Sequence, residues 1–298
     1  MEPHQLGMKT DFVPVFFDLE TTGHGDGAEL IQIGAIHKRI AFCSYILPRR
    51  RIPAQITDVT GFEKMDNLLL YRGQIKETTP LREALQDFLD YLRHFNKPII
   101  LVAHNCFIFD SRFILQNYKK FYMLDELSTV VQGFADSLPL LKKYLPGRSS
   151  YKQKELAQAI LGPDYEFIAH EAVNDCTALV DIFRKEKLTM NMIFEFSRSF
   201  DYTLDNYNAR IVAKQKLVTL ERLRPFVTGS MLAKIADAGL DFNALKWRIV
   251  QNGEEGLSLY LSEILRDGKP RVTRNRRALQ SICDGVMHSL DGGHYGGH

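Results

Sequence analysis

Two acidic residues stand one position apart at the end of an apolar run of strand type. The run "VPVFFDLETTG", residues 13–23, carries Asp18 and Glu20 before it ends in "TTG". Because strand side chains alternate between two faces, both carboxylates point the same way. Like charges held side by side repel each other, and burial strengthens the repulsion. Either a divalent cation lies between them, since carboxylate oxygens are ligands that Mg²⁺ and Mn²⁺ prefer, or they mark an exposed strand end facing water.

A third acidic residue follows a second apolar run. In "VAHNCFIFD", residues 102–110, the apolar residues give way to a polar pair, and Asp110 arrives where a helix is predicted to begin. The helix dipole favours an acid at that position, and this alone could account for Asp110 without a functional role. The functional alternative is a third carboxylate at the carboxyl edge of a sheet, where ligand sites of open α/β sheets gather.

The third pattern is "HEAVNDCTALVDIF", residues 170–183. At the helical period its apolar residues form one stripe, and Asp175 lies at the border of that stripe. An acid there can reach inward, where it would be costly without a partner. His170 would project almost oppositely if it were helical, so we expect it to precede the helix on a loop. A lone surface histidine near a helix start is the alternative.

One hypothesis explains all three patterns. Asp18, Glu20, Asp110 and Asp175 supply four carboxylates, which can hold two divalent cations about 4 Å apart for in-line displacement at phosphorus. A histidine, with an unperturbed pKa of about 6.5, can accept the proton of the attacking water, and His170 is placed for that role. The predicted cofactors are therefore two Mg²⁺ or Mn²⁺ ions, and the predicted substrate is a phosphodiester.

Alternating strand and helix signals run through the first two thirds of the chain. Strands are predicted at residues 13–19, 30–35, 42–47 and 98–103, the first three in an antiparallel meander. Helices are predicted at residues 80–95, 110–117, 152–161 and 171–185. The predicted fold class is α/β, with a central mixed sheet that carries helices on its faces.

Composition limits the function classes. The chain has 298 residues, 45% of them hydrophobic, and no apolar run long enough for a membrane helix. Its beginning lacks the apolar core of a secretory signal, and its four cysteines form no CxxC pair. We therefore expect an intracellular protein without a disulfide framework or zinc site and without a membrane partner.

After about residue 197 the pattern changes to short helices punctuated by glycine. This predicts a small all-helical C-terminal domain at residues 198–290, after a first domain at residues 10–197, and a flexible tail at residues 291–298. The C-terminal part is basic, mainly through "RDGKPRVTRNRR", residues 266–277. That stretch is either a solvated linker or a patch for phosphate backbones, and the sequence does not decide between them.

The motifs "FFDLETTG", "AHNCFIFD" and H-x4-D, in this order, resemble motifs I, II and III of the DEDDh (DnaQ-like) 3′→5′ exonucleases. The resemblance covers roughly residues 12–187 and implies a ribonuclease H-like fold with a mixed five-stranded sheet. Within the family, "DLETTG" and "SYKQKELAQAILG" are most similar to the three-prime repair (TREX-type) exonucleases. Family members often have Gly where this chain has Cys106, a change that could narrow the nucleotide pocket, slow catalysis or do nothing.

The resemblance also implies substrate contacts. The backbone around Leu19 and Thr21 would line the site of the last nucleotide, and "ITDVTG", which contains Thr60, would help to seat it. Asn105 and Phe109 are further candidate contacts of the terminal nucleotide. In "FADSL", residues 134–138, the family acid usually supports the fold and binds no metal.

The C-terminal stretch resembles the exonuclease-like end of the long promyelocytic leukaemia (PML) protein isoform and its relatives. The two resemblances imply a nuclear or cytoplasmic protein that acts on single-stranded nucleic acid. The sequence does not decide between DNA and RNA, although the closer family match favours DNA. They leave open a homodimer formed through a sheet edge. A second hypothesis is a catalytically weak module that works by binding nucleic acid or protein. The candidate phosphate contacts are Arg271, Arg274, Arg276 and Arg277.

Overall fold

The computed structural model describes residues 3–25, 27–165 and 170–291. The chain divides into two compact units, Met1–Leu204 and Asp205–His298. The domain limits expected from the sequence, 10–197 and 198–290, stay predictions. Of the predicted tail at 291–298, all but its first residue lies outside the described part of the chain.

Nine strands occur among the described residues, all in the first unit. They are β1 (Val13–Thr21), β2 (Leu30–His37), β3 (Ile40–Tyr45), β4 (Phe62–Met65), β5 (Leu68–Tyr71), β6 (Gln74–Lys76), β7 (Ile99–Ala103), β8 (Val131–Asp136) and β9 (Ser197–Ser199).

Twelve α-helices accompany them in the described part of the chain. They are α1 (Ala54–Thr60), α2 (Leu81–Arg93), α3 (Asp110–Lys120), α4 (Leu124–Ser128), α5 (Ser137–Tyr144), α6 (Gln153–Leu161), α7 (Ala172–Lys185), α8 (Met190–Glu195), α9 (Phe200–Leu220), α10 (Gly229–Asp237), α11 (Phe242–Ser262) and α12 (Arg276–Asp291).

The main sheet has the strand order β3-β2-β1-β7-β8-β9. The β1–β7 and β7–β8 pairs are parallel, and the other three pairs are antiparallel, so the sheet is mixed. This confirms the predicted fold class, with six strands where five were expected. The additional strand, β9, has only three residues and reads "SRS", so it carries no apolar pattern by which a sequence could reveal it.

A second, three-stranded sheet, β4-β5-β6, was also missed by the sequence analysis. Its turns depend on left-handed residues: Asp66 has φ 50°, and the pair Arg72–Gly73 has φ 50° and 77°. Two consecutive positive φ angles are the signature of a tight hairpin turn that matches strand twist. The "YRGQ" sequence between short apolar runs was the available signal.

Helix α7 packs on the face of the main sheet because one strand carries a glycine beneath it. A Cβ on Gly34 of β2 would lie 2.6 Å from the backbone carbon of Ala172, the first residue of α7. Further along the helix, the Cys176 thiol lies 3.6 Å from the Gly34 carbonyl oxygen. The apolar stripe of α7, including Leu179 and Ile182, is buried in the core cluster under this face. Glycine therefore sets how closely α7, with Asp175 in its first turn, approaches the sheet.

The second unit is helical in its described part, as the sequence predicts. Its core is formed by apolar side chains of α10, α11 and α12 with their connecting segments, including Leu232, Leu245, Leu257 and Ile282. Helix α11 is kinked at Gly253, whose φ of 67° and ψ of −176° are not helical. No helix in the described part of the chain is long and apolar enough to cross a membrane.

The glycine beneath α7 gives a stability prediction. Replacing Gly34 by Ala forces the helix away from the sheet, and such overpacking typically costs about 1–3 kcal/mol. We expect G34A to lower the free energy of unfolding by that amount in urea titrations. Gly25→Ala is the matched control, because nothing lies within 4 Å of the added Cβ there. Equal stability of the two variants would contradict the packing argument.

Candidate active site

Asp18 and Glu20 lie near the carboxyl end of strand β1, in the interior of the main sheet. Opposite them on β2 stand Gly34 and Gln32 respectively. The parallel register between β1 and β7 ends at Phe16, so both acids extend beyond the end of the neighbouring strand. They therefore lie at the carboxyl edge of the parallel strands, where the fold leaves room for a ligand.

The first turn of α7 brings Asp175 to the same place. Glu171 caps this helix by accepting the amide hydrogen of Asn174. The Asp175 carboxylate accepts hydrogen bonds from the backbone N–H groups of His170 (2.9 Å) and Glu171 (3.2 Å). Ligand oxygens of Asp18, Glu20 and Asp175 all lie within 4.8 Å of one another. Three of the four predicted carboxylates thus converge on one point.

Asp110, the fourth predicted carboxylate, is placed differently. It begins α3, is 2% exposed, and is not part of the group within 4.8 Å. Burial raises its pKa well above the usual range, while backbone hydrogen bonds from its own amide and from Leu19 oppose the shift. Its Oδ1 has no hydrogen-bond partner in the described part of the chain. Its charge nevertheless raises the pKa of both Asp18 and Glu20, so it stands beside the cluster.

The cluster is electrostatically strained. Burial, followed by the charges of Asp175 and Asp110, raises the pKa of Asp18 well above its usual range and that of Glu20 to about 8. Burial likewise raises the pKa of Asp175 to about 7, against the two backbone hydrogen bonds it accepts. Buried oxygens that repel one another, together with the unpartnered Asp110 Oδ1, suit a divalent cation as the missing partner.

Three further polar residues, Gln32, Tyr45 and Glu171, support the site and were not identified from the sequence. Gln32, fully buried, donates to Glu171 Oε1 (2.6 Å) and accepts the Ala172 amide hydrogen (3.0 Å). The Tyr45 hydroxyl also donates to Glu171 Oε1 (3.3 Å). These bonds tie the start of α7 to β2 and β3. The signal was a lone glutamine in the apolar strand "LIQIGA" and an acid directly before a helix.

His170 lies outside α7, with φ of 65°, at the rim of the cluster. Its Nδ1 is 4.0 Å from Glu20 Oε1, and its side chain is 46% exposed. Partial burial, then the nearby cations Lys154 and Arg72, lower the pKa of His170 below the ordinary value of 6.5. The ring is therefore neutral at pH 7 and can accept a proton.

The loop after β7 is held by a fold-supporting acid. Asp136 Oδ1 accepts the amide hydrogens of Asn105 (3.0 Å) and Leu138 (2.9 Å), which fixes Asn105 at φ of 64°. The His104 ring contacts the Ser137 hydroxyl oxygen at 3.0 Å. Cys106 is fully buried, so its side chain packs within the loop and does not stand open to solvent.

The remaining candidate substrate contacts occupy varied settings. Leu19 is 3% exposed and belongs to the core. The hydroxyls of Thr21 and Thr60 donate to the backbone carbonyls of Gly23 and Ile56. Their roles in substrate binding stay predictions.

Two half-buried residues of the loop before α3 are better placed for contact. Asn105 and Phe109 are both partly exposed. The Phe109 ring packs edge-on against His24 with centroids 5.5 Å apart and lies 4.8 Å from the Phe113 ring. An accessible ring held in this way could stack on a base.

In the second unit, one of the four candidate phosphate contacts is already engaged. Arg271 donates to Glu263 (2.5 Å), and its guanidinium lies 4.1 Å from the centroid of the Tyr260 ring. Arg274, Arg276 and Arg277 are exposed. These three retain free access to solvent, and their contact with phosphate stays a prediction.

Comparisons with known proteins identify the family of each part of the chain that they match. A family model described as Exonuclease (RNase_T) matches residues 15–183, more than half of the chain. A second, described as the C-terminal domain of PML, matches residues 224–288. The first match contains all five predicted catalytic residues, and the second contains the basic stretch.

Three relatives illustrate the range of similarity. The chain is 30% identical over 183 residues to the uncharacterized exonuclease CP81 of Escherichia phage 186, covering 56% of this chain and 84% of that protein. It is 27% identical over 164 residues to the maternal protein exuperantia of Drosophila virilis, covering 50% and 33%. It is 25% identical over 257 residues to the PolC-type DNA polymerase III of Clostridium perfringens, covering 82% and 16%. The chain thus spans a third or less of the length of the last two.

A solved structure of exonuclease I has the same fold. Its TM-score is 0.50 at 13% sequence identity, over 94% of this chain and 70% of that one. At this level of identity the likeness concerns the fold alone.

The raised pKa of Glu20 predicts a pH effect on stability. Without metal, the folded state keeps Glu20 protonated up to about pH 8, while the unfolded state releases that proton near its ordinary pKa of 4.5. Stability is therefore lost as pH rises from about 4.5 to 8. We expect Glu20→Gln to raise the melting temperature in EDTA at pH 8 and to change it little at pH 5.

Glu77→Gln, at an exposed position outside the cluster, is the matched control. Mn²⁺ at pH 8 should stabilise the unmodified chain more than the Glu20 variant. An E20Q protein that melts lower than the unmodified chain in EDTA at pH 8 would contradict the electrostatic account.

Proposed function

Because this chain belongs to the exonuclease (RNase_T) family, we propose that it is a metal-dependent 3′→5′ exonuclease of the DEDDh type. It hydrolyses the 3′-terminal phosphodiester of single-stranded DNA, with RNA as the alternative substrate, and releases nucleoside 5′-monophosphates. One observation carries the proposal: Asp18, Glu20 and Asp175, from distant parts of the chain, lie within 4.8 Å of one another beside His170.

The acidic cluster would hold two divalent cations, Mg²⁺ or Mn²⁺. Asp18, Glu20 and Asp175 are the primary ligands in this proposal, and Asp110 joins them from the start of α3. When bound, the cations supply the positive charge that activates a water and stabilises the leaving oxygen. They also offset the mutual repulsion that raises the pKa of each acid in the cluster.

His170 acts as the general base. Its lowered pKa leaves the ring neutral at pH 7, ready to take the proton of the attacking water. The water oxygen forms the new bond to phosphorus, and the P–O3′ bond to the penultimate sugar breaks as that oxygen takes up a proton. The hydrogen bond from the His170 amide to Asp175 couples the position of the base to the cluster.

The substrate contacts in this proposal recognise the end of a strand and not its base sequence. The backbone around Leu19 and Thr21, together with Thr60, borders the terminal nucleotide, and Asn105 and Phe109 contact it from the loop before α3. Stacking on an aromatic ring and contacts to backbone discriminate little among bases. The preference for DNA rests on the similarity to the TREX-type enzymes.

A second candidate function is a catalytically weak module that binds nucleic acid or protein. The relative from Drosophila virilis is named as a maternal protein and not as an enzyme, although its similarity spans half of this chain. The similarity of residues 224–288 to the PML C-terminal domain, with three exposed arginines in the basic stretch, points to a binding role for the second unit. A homodimer through a sheet edge stays a prediction.

The two functions are separated by one assay. We expect the chain with Mg²⁺ or Mn²⁺ to shorten 5′-labelled single-stranded DNA from its 3′ end, because the cluster is intact. The double variant Asp18→Ala, Glu20→Ala should lose this ladder, since it removes two of the three converging carboxylates. RNA of the same sequence tests the substrate preference. No ladder at any metal concentration would favour the binding module.

A variant of the base tests the mechanism. His170→Ala should lower kcat/KM by roughly 10²–10⁴-fold, the usual range for loss of a general base, while leaving DNA binding in EDTA unchanged. The acid limb of the pH–rate profile should lie below 6.5 in the unmodified chain and disappear in the variant. His94→Ala, at an exposed position after α2, serves as the control. An H170A enzyme with full activity would remove His170 from the mechanism.

A further inference from the structure

A basic cavity of about 430 Å³ opens beside the turn between β1 and β2. Its walls come from that turn, from the segment after β3, from the first turn of α2 and from the end of α3. The volume falls within the range of small-molecule sites. None of the five predicted catalytic residues lines it, so it is separate from the acidic cluster.

Four cationic side chains line this cavity: Arg49, Arg50, Arg82 and Lys120. All four are exposed, and none forms an ion pair with another described residue. Glu29 is the one carboxylate among the described lining residues, and its Oε2 accepts the backbone N–H of Arg50 at 2.9 Å. The cavity is therefore strongly positive, and the one described contact of its lining cations with an aromatic ring is that of Lys120 Nζ, 5.5 Å from the centroid of Phe121.

The cations are held around a wall that is partly apolar. Arg50 is packed against the turn, where a Cβ on Gly27 would lie 3.1 Å from its Nη1. Leu81 and Phe121, both partly exposed, line the cavity as well. The first turn of the 13-residue helix α2 also lines the cavity. No side chain caps this turn, so its backbone amide groups and the positive end of the helix dipole add to the positive charge there.

The cavity and the acidic cluster are connected through the pairing of β1 with β2. Leu30, a lining residue, pairs with Thr21 at the end of β1, one residue beyond Glu20. The Thr22 amide also donates to the Glu29 carbonyl oxygen at 2.9 Å. The cavity and the cluster thus share one edge of the main sheet.

We propose that this cavity is a second nucleotide-binding site, in which Arg49, Arg50, Arg82 and Lys120 bind phosphate while the sugar and base lie against Leu81 and Phe121. The bound nucleoside phosphate is a unit of the nucleic-acid strand whose 3′ end occupies the acidic cluster, or a free mononucleotide. The assignment to the strand rests on the proposed exonuclease function. Charge and an apolar wall together suit a nucleotide better than an inorganic anion.

The experiment reverses two of the charges. The double variant Arg50→Glu, Lys120→Glu is compared with Arg39→Glu, Lys185→Glu, which makes the same change of net charge at exposed positions outside the cavity. Binding of a fluorescein-labelled single-stranded DNA 20-mer and of dAMP is measured in EDTA, so that no cleavage occurs, across a salt series. Arg50→Gln, Lys120→Gln is a milder second variant if the charge reversal disturbs folding.

We expect the cavity variant to bind the 20-mer at least 10-fold more weakly than the control variant, with a salt slope lower by roughly 1.4 for two lost contacts. Weakened 20-mer binding with unchanged dAMP binding identifies the strand as ligand, and weakening of both identifies a nucleotide site open to free mononucleotide. Equal 20-mer and dAMP affinities in the cavity and control variants would overturn the proposal.

A small substrate separates this inference from the proposed function. The p-nitrophenyl ester of thymidine 5′-monophosphate presents a single phosphodiester to the acidic cluster, so its hydrolysis with Mg²⁺ should be unchanged in the cavity variant. If neither the unmodified chain nor any variant hydrolyses this ester, the exonuclease proposal fails, whereas the result on nucleotide binding in the cavity is unaffected. A cavity variant that loses this hydrolysis would show damage to the cluster and would overturn the assignment of a separate site.

Discussion

Mutual repulsion among buried carboxylates is the constraint on which the first unit depends. Asp18, Glu20 and Asp175 approach within 4.8 Å, and burial raises the pKa of each. A fold optimised for stability alone would not retain this arrangement, since replacing one acid by a neutral residue would relieve it. Such strain marks this end of the strands as a candidate functional site, and a bound cation would relieve the repulsion.

Several contacts in the first unit hold helix α7 in place against the main sheet. Gly34 allows α7 to approach β2, and Gln32 ties the start of the helix to the strand through Glu171 and Ala172. These contacts deliver Asp175 to the acids of β1 and place His170 at the rim. The acidic site is therefore a product of how α7 docks.

Charge is arranged differently around the two sides of this sheet edge. The cluster gathers negative charge on the side of α7, whereas Arg49, Arg50, Arg82 and Lys120 gather positive charge around a separate cavity near α2 and α3. The basic cavity would attract a polyanion, whereas the acidic cluster would repel a polyanion unless bound cations neutralised it. In the other unit, the region similar to the PML C-terminal domain carries three exposed arginines, and their contact with phosphate stays a prediction.

The sequence by itself determined the fold class, four of the six strands of the main sheet and the acids proposed for the site, because apolar periodicity and ordered motifs are local properties. The basic cavity, the supporting roles of Gln32 and Glu171, and strand β9 were decided by the tertiary structure. Each depends on residues far apart in the chain, such as Gln32 with Glu171 or Arg50 with Lys120, and pairing across such distances leaves no local pattern. Even Asp110, identified from its motif, lies beside the group of three within 4.8 Å and not in it, because only packing sets the distances between carboxylates.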